Sequence, residues 1–108
     1  MEIRVHGRKL DVSDRIRTQA TKRVTCASKF FDRVGDADVE ILEEPGPRSG
    51  ERFRAEISAP AAGLIVRAEG TGETIQNAID AAADRFGSNL RRLNDRFSDR
   101  RKGASEKR

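Results

Sequence analysis

The chain has no tryptophan and no tyrosine, one cysteine, one histidine and three prolines. A lone cysteine excludes an intrachain disulfide framework and a cysteine-rich metal site. The lone histidine, His6, falls on the outward face of an expected strand with no second histidine, nucleophile or cysteine cluster beside it, so neither histidine-dependent catalysis nor a metal site is supported. No apolar run approaches the ~20 residues of a membrane-spanning helix, and no signal-peptide pattern is present. Cytoplasmic residence without a membrane partner is therefore the expectation. Five phenylalanines are the only aromatics. Phe31, Phe53, Phe86 and Phe97 belong to the expected core, which leaves Phe30 alone, so stacking platforms for unpaired bases are not expected and contacts should go to phosphates and helical shape.

What the chain has in quantity is charge. Of 108 residues 37% are charged and 35% apolar, which fits one domain with a thin core. The net charge of +4 is unevenly spread. Residues 14–33 and 85–108 carry the basic excess, and residues 34–84 the acidic excess. Base gathered on helical segments points to a polyanionic partner, nucleic acid before membrane.

The longest pattern is a helix from Glu73 to about Phe97. Ile75, Ile79, Ala82, Phe86, Leu90, Leu93 and Phe97 recur at steps of three and four and lie within ~40° of one meridian at ~100° per residue. Arg85, Asn89, Arg92 and Arg96 follow the same spacing beside that seam, with Asp80, Asp84 and Asp95 on the far side. Acid early and base late complement the helix dipole. An earlier helix starts at Ser13, a good N-cap followed by Asp14, and is expected to run to Arg33 with Gly35 stopping it. Ile16, Ala20, Val24, Ala27 and Phe31 form its buried face, and Arg15, Lys22, Lys29 and Arg33 its basic flank. Arg23 falls near the apolar face, its head expected to reach water.

Elsewhere the period is two. Glu2 to His6, Asp38 to Glu44, Arg52 to Ala59 and Leu64 to Glu69 predict strands. Ile3, Val5, Val39, Ile41, Phe53, Ala55, Ile57, Leu64, Val66 and Ala68 point inward, and Glu40, Arg54, Glu56, Arg67 and Glu69 outward. Strict alternation means a sheet covered on one side only. Pro45, Gly46, Pro47, Ser49 and Gly50 predict a loop, and Pro60 to Gly63 a turn. The expected fold is thus α+β, a two-layer sandwich in the order β-α-β-β-β-α, with a four-stranded sheet and two helices packed on one face. Residues 1–101 should form this domain and 102–108 a disordered basic tail.

Nothing in the pattern suggests an enzyme or a cofactor. Gly70 and Gly72 precede a helix as a dinucleotide fingerprint would, but Ile75 stands where its third glycine belongs and no doubly wound sheet fits in the chain. Glu43 and Glu44 face opposite sides of a strand, a poor geometry for shared acid–base work. Cys26 reads as a small residue at the edge of the core.

Several phrases, in order, resemble the ribosome hibernation promoting factor family, also called protein Y, ribosome-associated inhibitor or sigma-54 modulation protein. They are Ile3, Val5, Gly7 and Arg8; Lys29, Phe30 and Phe31; Arg67, Ala68 and Glu69; Ala78, Ile79 and Asp80; and Leu90, Arg91 and Arg92. The chain departs from the family at Val24 and Ala27, where leucines are usual, at Gln76 in place of an aromatic, and at Gly87, which costs the helix about 1 kcal/mol. It lacks the C-terminal dimerisation domain of the long members, so it resembles the short type or the N-terminal domain of a long one. The resemblance implies binding to 16S rRNA of the small ribosomal subunit, between head and body, over the mRNA and the A-site and P-site tRNA positions. Translation would be blocked and idle ribosomes preserved under stress or in stationary phase.

The family's rRNA contacts correspond here to Lys22, Lys29, Arg85, Arg91 and Arg92. The helical wheel adds Arg15, Arg33 and Arg96, and the opening phrase adds Arg8. No small-molecule substrate is implied, and the chain is expected to be a monomer off the ribosome. Two rivals remain: a general double-stranded RNA or DNA binding module, and a small domain that binds a protein through its sheet face or edge.

Overall fold

A computed structural model describes residues 1–45 and 50–106, with side chains as far as Phe97. Gly46, Pro47 and Ser49 of the expected loop, residues 107 and 108 of the expected tail, and the side chains of Arg100 and Arg101 lie outside the described residues. The elements are β1 (Ile3–Arg8), α1 (Asp14–Ser28), β2 (Ala37–Glu43), β3 (Phe53–Ala61), β4 (Leu64–Gly72) and α2 (Ile75–Glu106). The strands form one sheet in the order β1-β2-β3-β4. β1 and β2 are parallel, a pairing that needs a crossover such as α1 supplies, and the two remaining pairings are antiparallel.

Alternation along the strands decides which face is covered. Val5, Val39, Ile41, Ala55, Ile57, Ala59 and Ala68 are buried beneath the helices. From above, Ile16, Ala20, Val24 and Ala27 of α1 and Ile79, Ala82, Phe86, Leu90 and Leu93 of α2 meet them. Both apolar seams read from the sequence are therefore core. Each large side chain buried in it contributes about 1.5–3 kcal/mol. Many of the remaining core positions are alanines, which keeps the layers close. Gly70 and Gly72 belong to this close approach. A Cβ on Gly70 would stand 2.2 Å from the Ala82 amide nitrogen, and one on Gly72 would stand 2.7 Å from that of Ala78. They seat α2 on β4.

Ser13 caps α1, its hydroxyl accepting from the Ile16 amide at 3.2 Å, and Thr74 caps α2, accepting from the Asn77 amide at 3.0 Å. The end of α1 differs from expectation. It stops at Ser28, not near Arg33, because the amides of Lys29, Phe30 and Phe31 each bond three residues back, at 3.3 Å, and tighten the last turn. That turn drops Phe31 into the core, where its ring lies 5.8 Å from that of Phe97, and sends Arg33 into the connection to β2. Gly35 is consequently no helix stop. Its amide donates to the Pro60 carbonyl at 2.8 Å, and the neighbouring Val34 bridges Ala61.

The β3–β4 turn is tighter than expected. Pro60 and Ala61 stay in β3, leaving Ala62 and Gly63 as a two-residue loop with both φ angles positive, 53° and 80°. Leu64, expected inside, is exposed at the hairpin tip, as is Ile65. Phe31 and Phe97 close the core at this end in their place. α2 continues beyond Phe97 to Glu106, through most of the stretch expected as a tail.

Candidate nucleic-acid interface

Contacts between the helices rise together in number. Gln19 reaches the Gln76 carbonyl and Asp80, Arg23 reaches Asp80 and Asp84, and Phe30 meets Gly87 and Arg91. The helices therefore run parallel, side by side, and any row of side chains on one runs parallel to a row on the other. Arg15, Lys22 and Lys29 lie on the exposed side of α1, opposite Ile16, Ala20, Val24 and Ala27. Arg33 is exposed just beyond the helix.

The α2 row is turned to the other flank. Arg85 Nη1 donates to the Glu69 carbonyl at 3.1 Å, and Asn89 Nδ2 to the Arg67 carbonyl at 2.9 Å. Both carbonyls belong to β4, whose outer edge has no neighbouring strand, so these two side chains satisfy backbone acceptors that the sheet leaves open. Arg92 and Arg96 continue the row, and the exposed Arg67 stands beside it across a shallow groove. Arg91 lies on the opposite side of α2, facing α1, with its guanidinium carbon 4.3 Å from the centre of the Phe30 ring. The two rows thus share the helical layer and run in parallel, but one faces outward and the other leans over the sheet edge.

Asp80 and Asp84 lie on the far side of α2 from the Arg85 row, as expected, and that side faces α1, where Arg23 pairs with both at 3.1 Å. Arg23 thus joins the helices, its head on carboxylates while the side chain stays 42% exposed. By contrast Arg15, Lys22, Lys29, Arg33, Arg92 and Arg96 make no ion pair among the described residues. Their charges are available to a ligand.

Arg8 is separated from all of these. It projects from the open face of the sheet, away from the helices, and pairs with Glu40 at 2.8 Å. Neighbouring groups are likewise matched. Arg4 pairs with Asp38 at 2.8 Å, and Arg54 reaches Glu69 at 2.6 Å, Glu56 at 3.1 Å and Glu44 at 3.4 Å. The hydrogen bond from Arg4 holds the Asp38 carboxyl below the usual carboxylate range and raises Arg4 itself, and the Glu69 hydrogen bond does the same for Arg54.

Sequence reasoning missed Arg67 and the setting of Phe30. Alternation placed Arg67 outward, but nothing local to it says that β4 is an edge strand beside α2. Among the described residues no group of three or more His, Cys, Asp or Glu side chains is placed to hold a metal, and no helix is long and apolar enough to cross a membrane.

Fold and surface together define a class: a small α+β domain whose helical layer carries exposed cations that are unmatched among the described residues. The family described as Sigma 54 modulation protein / S30EA ribosomal protein matches residues 3–98, and the chain belongs to it. It is 29% identical over 105 residues to a ribosome hibernation promotion factor of Rhizobium meliloti, a match covering 95% of this chain and 53% of that one. It is 24% identical over 103 residues to the ribosome hibernation promoting factor of Azotobacter vinelandii, covering 95% of this chain and 92% of that one. The crystal structure of the Thermus thermophilus protein Y N-terminal domain superposes with a TM-score of 0.71 at 30% identity, over 86% of this chain and 99% of that one. The chain thus spans about half the length of the first relative and nearly all of the second.

Proposed function

We propose that this chain is a ribosome hibernation factor that binds the small ribosomal subunit through 16S rRNA, at the channel of the mRNA and the A-site and P-site tRNAs. It inhibits translation there by occupancy, without catalysis, and preserves idle ribosomes in the cytoplasm under stress or in stationary phase. The observation that carries this reading is the set of unmatched cations on the helical layer of a domain belonging to this family. Lys22, Lys29, Arg85, Arg91 and Arg92 are the rRNA contacts, and Arg15, Arg33 and Arg96 extend them. Arg8, neutralised by Glu40 on the opposite face, takes no part. Off the ribosome the chain is a monomer.

Phosphates supply most of the affinity in such a complex. With about six of them neutralised, the logarithm of the binding constant should fall against the logarithm of salt concentration with a slope of roughly −4 to −5. The deciding experiment is cosedimentation with purified small subunits in the presence of excess duplex RNA, paired with translation in vitro. Retention on the subunit and loss of translation support the proposal. Displacement by the duplex would make the chain a general duplex-binding module instead.

A further inference from the structure

On the outward side of the helical layer, a groove of about 410 Å³ runs between α1 and α2, with Ala27 and Gly87 in its lining and Arg23, Asp84 and Arg91 about it. Phe30 lies in this groove with 40% of its surface exposed, although Phe31, next in the chain, is buried and already closes the core. The groove is fitted to that exposed ring. A Cβ on Gly87 would stand 3.3 Å from Phe30 Cε2 and 3.5 Å from the Ala27 Cβ, so a glycine, poor in mid-helix, lets the ring settle against α2. One turn further along, the Arg91 guanidinium lies over the same ring. A planar cation held over a seated ring is already ordered, and Arg91 is exposed to solvent.

We infer that the Phe30–Arg91 pair is a binding platform for one unpaired, amine-bearing base of the RNA, an inference that rests on the reading of this chain as an RNA-binding factor. Unpaired bases are recognised by stacking on aromatic rings and on arginine planes, and the second of these is what the groove presents. Asp84, held by Arg23 at 3.1 Å, offers a carboxylate at the same groove as acceptor for an exocyclic amine. Lys29, exposed and adjacent to Phe30, serves a flanking phosphate. The layer would then hold RNA in two ways, by phosphates along the cation rows and by one base between the helices.

The probe is a short RNA hairpin with 2-aminopurine as an unpaired loop base, titrated with the whole chain. Stacking should quench its fluorescence several-fold at saturation. Phe30→Tyr should keep the quench. Phe30→Leu, which keeps apolar volume, and Arg91→Lys, which keeps the charge, should both lose it, with affinity about tenfold lower and the salt slope unchanged. Arg91→Lys alters only an exposed side chain, so it carries the test even if the leucine variant folds poorly. No quench with the native chain, or the same quench in both variants, would overturn the inference. Sedimentation with small subunits reports separately on the function proposed above. Sedimentation without quenching sinks the platform alone, and quenching without sedimentation sinks the ribosomal reading alone.

Discussion

The two broad faces of this molecule are built from the same side chains and have opposite electrostatic character. On the open face of the sheet, Arg4, Arg8 and Arg54 each stand within 3.4 Å of a carboxylate. On the helical layer, Arg15, Lys22, Lys29, Arg92 and Arg96 have none among the described residues. An arginine with a carboxylate at contact distance is a dipole whose field decays quickly in salt, whereas a row of unmatched arginines keeps a field that a polyanion can meet. Pairing, and not the number of basic residues, distinguishes a binding surface from a solvated one.

The sharpest way to break this comparison is to reverse charge on each face in turn. Arg85→Glu with Arg92→Glu and Arg96→Glu should lower affinity for the small subunit at least a hundredfold and shallow the salt slope by about three. Arg4→Glu with Arg8→Glu should leave both nearly unchanged. Equal losses would show that the faces do not differ as described. They would also favour the rival in which the sheet face binds a partner.

Arg54→Ala should do the converse. It leaves Glu44, Glu56 and Glu69 without their common cation, so stability in urea should fall by about 1–2 kcal/mol while the salt slope holds. Lys29→Ala should weaken binding a few-fold and reduce the slope by about one, with no change in urea midpoint. The smallest effect belongs to Asp38. Its carboxyl has a lowered pKa in the fold, so its contribution is present at neutral pH and is lost as pH falls through the folded value, below the ordinary carboxylate range near 4. Asp38→Asn should flatten the acid limb of the urea midpoint below the ordinary carboxylate range, without altering RNA binding at pH 7.

Much of this was legible in residue order. The seam from Ile75 to Phe97, the alternation from Val39 to Ala68 and the α1 face from Ile16 to Phe31 named most of the large side chains of the core, but not Ala37, Ala59, Ala61, Ala78 or Ala83, and Ser13 marked where α1 begins. Arg33 was misplaced because the turn after Ser28 depends on Phe31 finding Phe97, 66 positions away in the chain. Arg8 entered through the opening phrase alone, and its neighbours in sequence say nothing of Glu40, its partner across the sheet.

The sequence by itself determined the order and type of the elements, which side of each is apolar, and on which segments basic charge gathers. These follow from period, and period is a property of each backbone segment alone. Tertiary structure alone decided that β4 is the free edge on which Arg85 and Asn89 rest, that Arg23 is consumed between the helices, and that Phe30 is seated under Arg91. Whether a charge is matched depends on which strand or helix lies opposite, and that is settled by contacts between residues far apart in the chain.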